Sequence, residues 1–346
     1  MNRLTCWIVA TALLSACGDG PAPGEGVIHG VNYVGVSVAN LERSSEFYLQ
    51  GAQLQSLDGV TAYPADLIHQ LENSSEGPGS HPVRNERLLR SSNAQLRLME
   101  FSSPADAQPV PVQGPGIAHI CFQVNQETQT YERFIALGAT PIGDRDLVHL
   151  NPKRPVFYGY AHDPDKNVIE IEHVDVSALD LETPPANDYR IRHVSLASPD
   201  INNIVAFYER LLGGQKARRV GRFLSLSGEP LDRISGLQDA KIKMAWLQTR
   251  NLELEFVQYT SHPTQRPAAP RKISSTGFNM IVFDVSDIDA ARQLFEDAGG
   301  SMVSGTVPLD EGPIFFGRDP DGNLLGFQQT HQTAAVSSLN FKNNGL

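Results

Sequence analysis

The sequence predicts an α+β fold that repeats one module four times, each module running from a strand through a helix into further strands. Two observations predict it. The segments around Phe47-Tyr48 and Phe207-Tyr208 resemble each other at an offset of 160 residues, and the turn Asp-Pro-Asp-x-Asn begins at Asp163 and again at Asp319, 156 residues later. Repeats that keep their register over such distances indicate that the second half of the chain duplicates the first.

Each module opens and closes on a predicted strand. The opening strands are short, alternating and rich in β-branched residues, which is typical of strands; they are Val31–Asn40, Ile117–Gln126, Ile191–Asp200 and Phe278–Asp287. The closing strands share these properties and are Ala94–Phe101, Asn167–His173, Arg250–Tyr259 and Asn323–Gln329.

A helix follows the opening strand. In the third module, apolar residues recur at helical spacing from Ile201 to Leu212, after the capping residue Asp200 and before Gly213. Asn40 occupies the same capping position in the first module.

Proline-rich stretches separate these modules and predict the domain boundaries. We predict a first domain at residues 30–176, with modules 30–103 (module one) and 116–176 (module two), and a second at 189–331, with modules 189–261 (module three) and 276–331 (module four). Residues 332–346 are predicted to be a frayed tail.

The first 17 residues have the form of an export signal. Arg3 is followed by the short apolar run Cys6–Leu14, whereas a membrane-spanning helix needs about 20 residues. The sequence LSAC that ends at Cys17 resembles the lipobox of bacterial lipoproteins, in which the cysteine carries lipid. We therefore expect a lipid-anchored protein of the bacterial cell envelope, with residues 18–29 as a flexible tether. Gly18, directly after the cysteine, favours the outer membrane, facing the periplasm. A plain secretory peptide and a buried N-terminal helix are the alternatives.

Charge and cysteine content exclude some classes. The formal net charge of −11 argues against a nucleic-acid partner, which requires a basic face. Of the three cysteines, Cys6 and Cys17 belong to the signal, so Cys121 has no partner for an intramolecular disulfide.

Four such modules, with Asp-Pro-Asp-x-Asn before the closing strand of the even ones, resemble the vicinal oxygen chelate superfamily, which includes glyoxalases, bleomycin-resistance proteins and extradiol dioxygenases. The resemblance covers roughly residues 30–330. It implies that paired modules curl into cup-like mixed sheets with helices outside, and that metal ligands come from the opening and closing strands. These positions hold Tyr33, His119, His193 and Asn279 on the opening strands, and Arg97, Glu170, Glu253 and Gly326 on the closing strands.

The pairing of the modules decides what these positions can do. If neighbours pair, each cup has one histidine and one glutamate. If module two meets module three, one cup gathers His119, Glu170, His193 and Glu253, and the other receives none. This segregation favours the second arrangement. Glu255 would replace Glu253 if the register were shifted by two residues.

Two imidazoles and two carboxylates suit one divalent cation, with Zn, Fe, Mn, Ni and Co not distinguished. We therefore predict a metal-dependent lyase or isomerase that acts on a small vicinally oxygenated molecule, with Glu170 or Glu253 as the base.

Two other functions stay open. The first is a metal-free small-molecule binding protein of the bleomycin-resistance type. The second is a ring-cleaving dioxygenase, which is disfavoured because the iron ligands of that family come from modules three and four. Those positions hold His193, Asn279 and Gly326 here. The oligomeric state does not follow from the sequence.

Overall fold

The structure, a computed structural model, describes residues 22–57, 60–72, 81–102, 111–150, 155–175 and 189–345. The predicted export signal, with Cys17, lies outside the described residues, as do residues 18–21 of the predicted tether. Within these described ranges, no helix is both long and apolar enough to cross a membrane.

The described residues form eighteen strands. They are β1 Ile28–Val38, β2 Gln55–Leu57, β3 Val83–Arg90, β4 Gln95–Phe101, β5 Gly116–Asn125, β6 Thr140–Pro141, β7 Val148–His149, β8 Val156–His162, β9 Val168–Val174, β10 Ile191–Ala197, β11 Arg218–Val220, β12 Leu226–Ser227, β13 Lys241–Gln248, β14 Glu253–Tyr259, β15 Gly277–Val285, β16 Ser301–Met302, β17 Ile314–Arg318 and β18 Leu324–Gln328. All eight predicted strands are present.

The same ranges contain six α-helices and two short 3₁₀ turns. The helices are α1 Leu41–Gly51, α2 Ala65–Glu72, α3 Thr130–Ala136, α4 Ile201–Leu211, α5 Glu229–Ser235 and α6 Ile288–Ala298; the 3₁₀ turns are Gln126–Thr128 and Ser338–Asn340. Asn40 and Asp200 cap α1 and α4 as predicted, because their side chains accept hydrogen bonds from backbone N–H groups of the first turn.

The strands form two curled mixed sheets, and each sheet joins modules from different halves of the sequence. In the first sheet, β1 of module one pairs antiparallel with β15 of module four. In the second, β5 of module two pairs antiparallel with β10 of module three. The closing strands β4, β9, β14 and β18 each run parallel to the opening strand of their own module. Module two therefore meets module three, and neither sequence half closes a sheet of its own.

The helices pair the modules differently from the sheets, module one with module two and module three with module four. Phe47 of α1 stacks on Phe134 of α3, with ring centroids 4.8 Å apart, and Phe207 of α4 meets Phe295 of α6 edge-on at 6.0 Å. These rings belong to the main hydrophobic core, which lies between the helices and the sheets. Sheets thus connect modules one to four and two to three, while helices connect one to two and three to four.

The repeated Asp-Pro-Asp-x-Asn turn connects each even module to the helix of the module before it. Asp163 accepts hydrogen bonds from the backbone N–H groups of Asp165 (2.9 Å) and Asn167 (2.8 Å), and its other oxygen accepts from the hydroxyl of Tyr48 at 2.7 Å. Asp319 is bound in the same way in module four, where the Tyr208 hydroxyl donates at 3.0 Å. The turn is repeated because it ties the closing strand of each even module to the helix of the module before it.

The C-terminal segment was predicted to fray, but its described part packs against the sheets. Val336 and Phe341 are buried. The backbone N–H of Ser338 donates to Asn32 at 2.9 Å and to Asp284 at 2.8 Å. The segment is held because its polar backbone groups meet buried side chains of β1 and β15.

We predict that Tyr48→Phe and Tyr208→Phe each lower the free energy of unfolding by about 1–3 kcal/mol, because each removes a hydrogen bond from a buried aspartate. Urea denaturation measures the effect. Tyr259→Phe is the matched control, since the Tyr259 hydroxyl makes no hydrogen bond with the described residues, and it should change stability far less. Equal effects for all three variants would contradict a role for the turn.

Candidate metal centre

Two histidines and two glutamates meet in the cup of the second sheet. His119 and His193 lie on the paired strands β5 and β10, and their Nε2 atoms are 3.3 Å apart. Oε2 of Glu170, on β9, lies 3.1 Å from the Nε2 of His119 and 3.0 Å from that of His193. Oε2 of Glu255, on β14, lies 3.3 Å and 3.4 Å from the same two atoms. The four side chains thus aim one ligand atom each at a common point.

These separations fit a single divalent cation. Ligand atoms about 2.1 Å from an ion are about 3.0 Å apart in an octahedron and about 3.4 Å apart in a tetrahedron. The five distances given above all fall between 3.0 and 3.4 Å, and the four atoms lie within 4.8 Å of one another. All four residues are buried, none more than 6% exposed. The cluster could therefore hold a metal ion shielded from bulk water.

The local charge distribution also favours a cation. Burial raises the pKa of Glu170, but hydrogen bonds from both histidines more than compensate and hold that pKa well below its usual range. The pKa of Glu255 is lowered despite its burial, by the same two rings. Burial lowers the pKa of His119, yet its hydrogen bonds to the two carboxylates raise it to about 9. Two buried carboxylates thus create a negative site that a proton or a metal ion can occupy.

The structure does not bring Glu253, one of the predicted ligands, to the histidines. Its carboxylate instead pairs with Arg192 at 3.1 Å and with Arg218 at 3.3 Å. The reason is the register of the sheet. His193 lies beside Glu253, and the carboxylate that reaches the histidines comes two residues later, as Glu255. Module two follows the same rule, because Glu170 comes two residues after Val168, the neighbour of His119.

Module four also departs from the predicted register. Gly35 and Ser195 occupy equivalent positions in the opening strands of modules one and three, 160 residues apart. Met280 lies opposite Gly35, and His119 lies opposite Ser195, so Met280 is the residue of β15 that is equivalent to His119. Asn279 sits in an irregularity of the strand pairing, where its amide donates to Ser37 Oγ at 2.5 Å and to the Ile273 carbonyl at 3.1 Å. Asn279 is therefore a structural residue.

The cup of the first sheet is packed with side chains. Tyr63, which precedes α2, hydrogen-bonds the Tyr33 hydroxyl, and the Arg97 guanidinium lies 4.2 Å from the centre of the Tyr63 ring. Arg97 also forms an ion pair with Glu86 at 2.7 Å. A side chain at Gly326 would place its Cβ 2.7 Å from the Phe316 ring. Glycine is favoured there because the ring of Phe316, directly across the β17–β18 hairpin, leaves no room for a side chain.

Three aromatic residues near these four side chains, in the cup of the second sheet, were missed from the sequence. The indole N–H of Trp246 donates to Oε1 of Glu255 at 3.0 Å. The ring of Tyr160 lies 5.2 Å from that of His119, between centroids, and Tyr259 shares an apolar cluster with Tyr160. Hairpin pairing could have found two of them, because Trp246 lies directly across from Glu255 and Tyr160 directly across from Glu170.

Cys121 belongs to the same cup but is a poor candidate ligand. Its sulfur lies close to Glu170, Glu172 and His193. Burial and the neighbouring carboxylates raise the pKa of its thiol well above the usual value, so the thiolate that a metal prefers is disfavoured.

Comparisons with known proteins agree with this architecture. The family model described as the Glyoxalase/Bleomycin resistance protein/Dioxygenase superfamily matches residues 30–171 and 190–327. Glyoxalase I from Zea mays is similar in structure, with a TM-score of 0.57 and 15% sequence identity over 87% of this chain and 92% of that one. A putative dioxygenase from Bacillus subtilis gives a TM-score of 0.56 and 10% identity, over 88% of this chain and 86% of that one. No curated protein matches the chain by sequence. With matches to both halves, the chain belongs to the glyoxalase, bleomycin-resistance and dioxygenase superfamily.

Proposed function

We propose that this protein binds one divalent cation through His119, Glu170, His193 and Glu255 and catalyses a lyase or isomerase reaction on a small molecule with adjacent oxygens. The observation that carries this proposal is the convergence of two imidazole nitrogens and two carboxylate oxygens at distances of 3.0–3.4 Å in one cup. The cation, when bound, would polarise a substrate oxygen and so acidify the neighbouring C–H bond.

The residues of this chain would bind the substrate and move its proton. Glu170 and Glu255 are the bases within reach of a molecule bound at the centre, and each carries a lowered pKa that keeps it ionised. The hydroxyls of Tyr160 and Tyr259 make no hydrogen bond with the described residues, so they are free to donate to a substrate oxygen. Burial of the four ligands excludes competing water.

The walls of the cup suggest a substrate of low charge. One wall is apolar and includes Tyr160, Met244 and Tyr259. The guanidinium of Arg192 is already paired with Glu172 at 2.6 Å and with Glu253 at 3.1 Å. Since this cation is compensated internally, we propose that recognition rests on apolar contact and on chelation of the two oxygens.

A metal-free binding protein is the second candidate. One observation favours it: the Nε2 atoms of both histidines lie within hydrogen-bonding distance of Oε2 of Glu170, so the charge of this buried carboxylate has partners without an ion. Ring cleavage is not favoured, because the positions that would supply its ligands in module four hold Met280 and Gly326.

Metal content tests the site. We expect about one divalent ion per chain in the wild type and a large loss in His119→Ala, His193→Ala and Glu255→Gln, because each removes a ligand. Glu253→Gln should retain the ion, and the exposed His331→Ala is the matched histidine control. Elemental analysis of the purified proteins measures this. An ion retained by His193→Ala would rule out the proposed site.

Metal uptake should release protons. With a pKa of about 9, His119 carries a proton at pH 7 that a cation must displace. Apparent affinity should therefore rise with pH from 6.5 to 8.5, by about tenfold per pH unit if one proton is released. Calorimetric titration with Co²⁺ in two buffers of different ionisation enthalpy counts the protons. Heats that do not depend on the buffer would show that His119 is neutral before the ion binds.

Proton abstraction can be detected without knowing the product. We expect the metal-loaded protein to exchange the C–H hydrogen of at least one small α-hydroxycarbonyl compound for deuterium in D₂O, followed by proton NMR. The His119→Ala, His193→Ala double variant should show no exchange. Tight binding of such compounds to the metal-free protein, with no exchange, would instead support the second candidate.

A further inference from the structure

Two large apolar side chains protrude from the edge of the second sheet. Phe223 is 90% exposed and its neighbour Leu224 is 71% exposed. In the part of the chain that the structure describes, the next most exposed large apolar side chain is Leu150, at 37%. Contact with water is unfavourable for two adjacent apolar side chains of this size, so the pair indicates a surface that an apolar phase covers.

The strand pairing forces this pair outward. β11 ends at Val220 and β12 begins at Leu226, and both strands pair with β13. The five residues 221–225 between them, called the edge loop below, lie opposite a single residue of β13, Lys243. The surplus residues must therefore leave the sheet. Gly221 starts the loop with a positive φ of 76°, and a Cβ there would lie only 3.0 Å from a carbonyl oxygen of β13.

The edge loop lies in a basic part of an acidic chain. Residues 216–228 contain four basic residues and no acidic one, whereas the whole chain has 39 acidic and 28 basic residues. The paired strand β13 adds Lys241 and Lys243 and also contains no acidic residue. The guanidinium of Arg222 lies 5.6 Å from the centre of the Phe223 ring. Within the described ranges, neither Arg222 nor either lysine forms an ion pair, so three uncompensated cations accompany the apolar pair.

This combination fits an anionic lipid surface better than a protein partner. Apolar side chains that insert at the boundary between headgroups and acyl chains, with arginine and lysine beside them at anionic headgroups, are typical of interfacial membrane binding. A stable protein interface requires more: each partner buries roughly 800 Å². An aromatic side chain buries about 150–250 Å², so two apolar side chains fall well short of that area.

The start of the described chain lies at the other end of β13. A Cβ on Gly24 would be 2.8 Å from the Cβ of Arg250, and Arg250 follows the end of β13 that is remote from the edge loop. Ala22, the first described residue, is five residues from Cys17, which an extended chain spans in at most about 18 Å. A lipid anchor at Cys17 would therefore hold one end of β13 near the membrane and leave the edge loop to contact it at the other.

We propose that the edge loop is a membrane contact of this protein, separate from the predicted lipid anchor. Phe223 and Leu224 enter the boundary between headgroups and acyl chains of an anionic lipid surface. Arg222 and the two lysines of β13 pair with the headgroups. The anchor and the loop together hold the edge of the second sheet along the membrane. This inference does not depend on the metal centre.

The fluorescence of Phe223→Trp tests insertion. The full chain is reconstituted with vesicles of phosphatidylcholine and phosphatidylglycerol whose acyl chains carry bromine as a quencher, and the emission of the wild type is subtracted. The added emission of Phe223→Trp should shift to shorter wavelength and be quenched by the brominated lipid. Leu150→Trp, at the other exposed apolar position, is the matched control, and its added emission should be quenched far less.

Charge substitutions test the headgroup contacts. In the Phe223→Trp background, Arg222→Gln and Lys243→Gln should each lower the ratio of quenched to unquenched loops about fivefold, because each removes a cation from an anionic surface. Arg84→Gln, which removes an exposed arginine of the first sheet, is the control and should leave the ratio unchanged. Vesicles of phosphatidylcholine alone should lower the ratio in the parent protein.

Three results would overturn the proposal. The first is no quenching of Phe223→Trp in anionic vesicles. The second is equal quenching of Phe223→Trp and Leu150→Trp, which would show that the loop has no preferred contact with the lipid. The third is a shift of the Phe223→Trp emission that rises with protein concentration and needs no vesicles, because a second copy of the chain would then cover the loop. Circular dichroism of every variant verifies that it is folded.

Discussion

The antiparallel pairing of β5 with β10 is the interaction on which the candidate site depends. It places His119 opposite Ser195 and His193 opposite Cys121, so the two rings stand on one face of neighbouring strands. Because side chains alternate along a strand, a slip of one residue in this pairing would turn the histidine of the slipped strand away from the other histidine and into the helix-covered core. The backbone ladder between modules two and three therefore sets the geometry of the candidate metal centre.

The pairing of modules from different sequence halves explains how the two cups can differ. Each sheet draws one module from each sequence half, and the helix pairs and Tyr–Asp contacts connect the modules the other way. Every module thus contributes side chains to one cup, while its helix packs against the helix of a module that belongs to the other cup. The ligand positions can change without loss of the fold, and in the first sheet they hold Tyr33, Arg97, Met280 and Gly326, which pack the cup.

Much of the fold and part of the site follow from the sequence, through particular residues. The alternation in the closing strand of module two places Glu170 on the cup face, and the repeated Asp163 and Asp319 turns align the even modules. The errors at Glu253 and Asn279 have distinct physical causes. A shift of two residues keeps a side chain on the same face, so alternation does not separate Glu253 from Glu255. Asn279 is equivalent to Ala118, which lies in the same irregularity of the β5 pairing, so the assignment of Asn279 was displaced by one residue and the equivalent of His119 is Met280.

The sequence by itself determined the four modules, the strand faces and the residue types that could bind a metal, because these are local properties with a fixed period. Only the tertiary structure decided that module two meets module three, that Glu255 joins the histidines, and that Trp246 holds it. The first of these depends on hydrogen bonding between strands far apart in the sequence, β5 and β10, which carry His119 and His193. The other two depend on the pairing register within module three, which side-chain alternation does not fix. No local pattern specifies which distant strand edge a given strand will pair with.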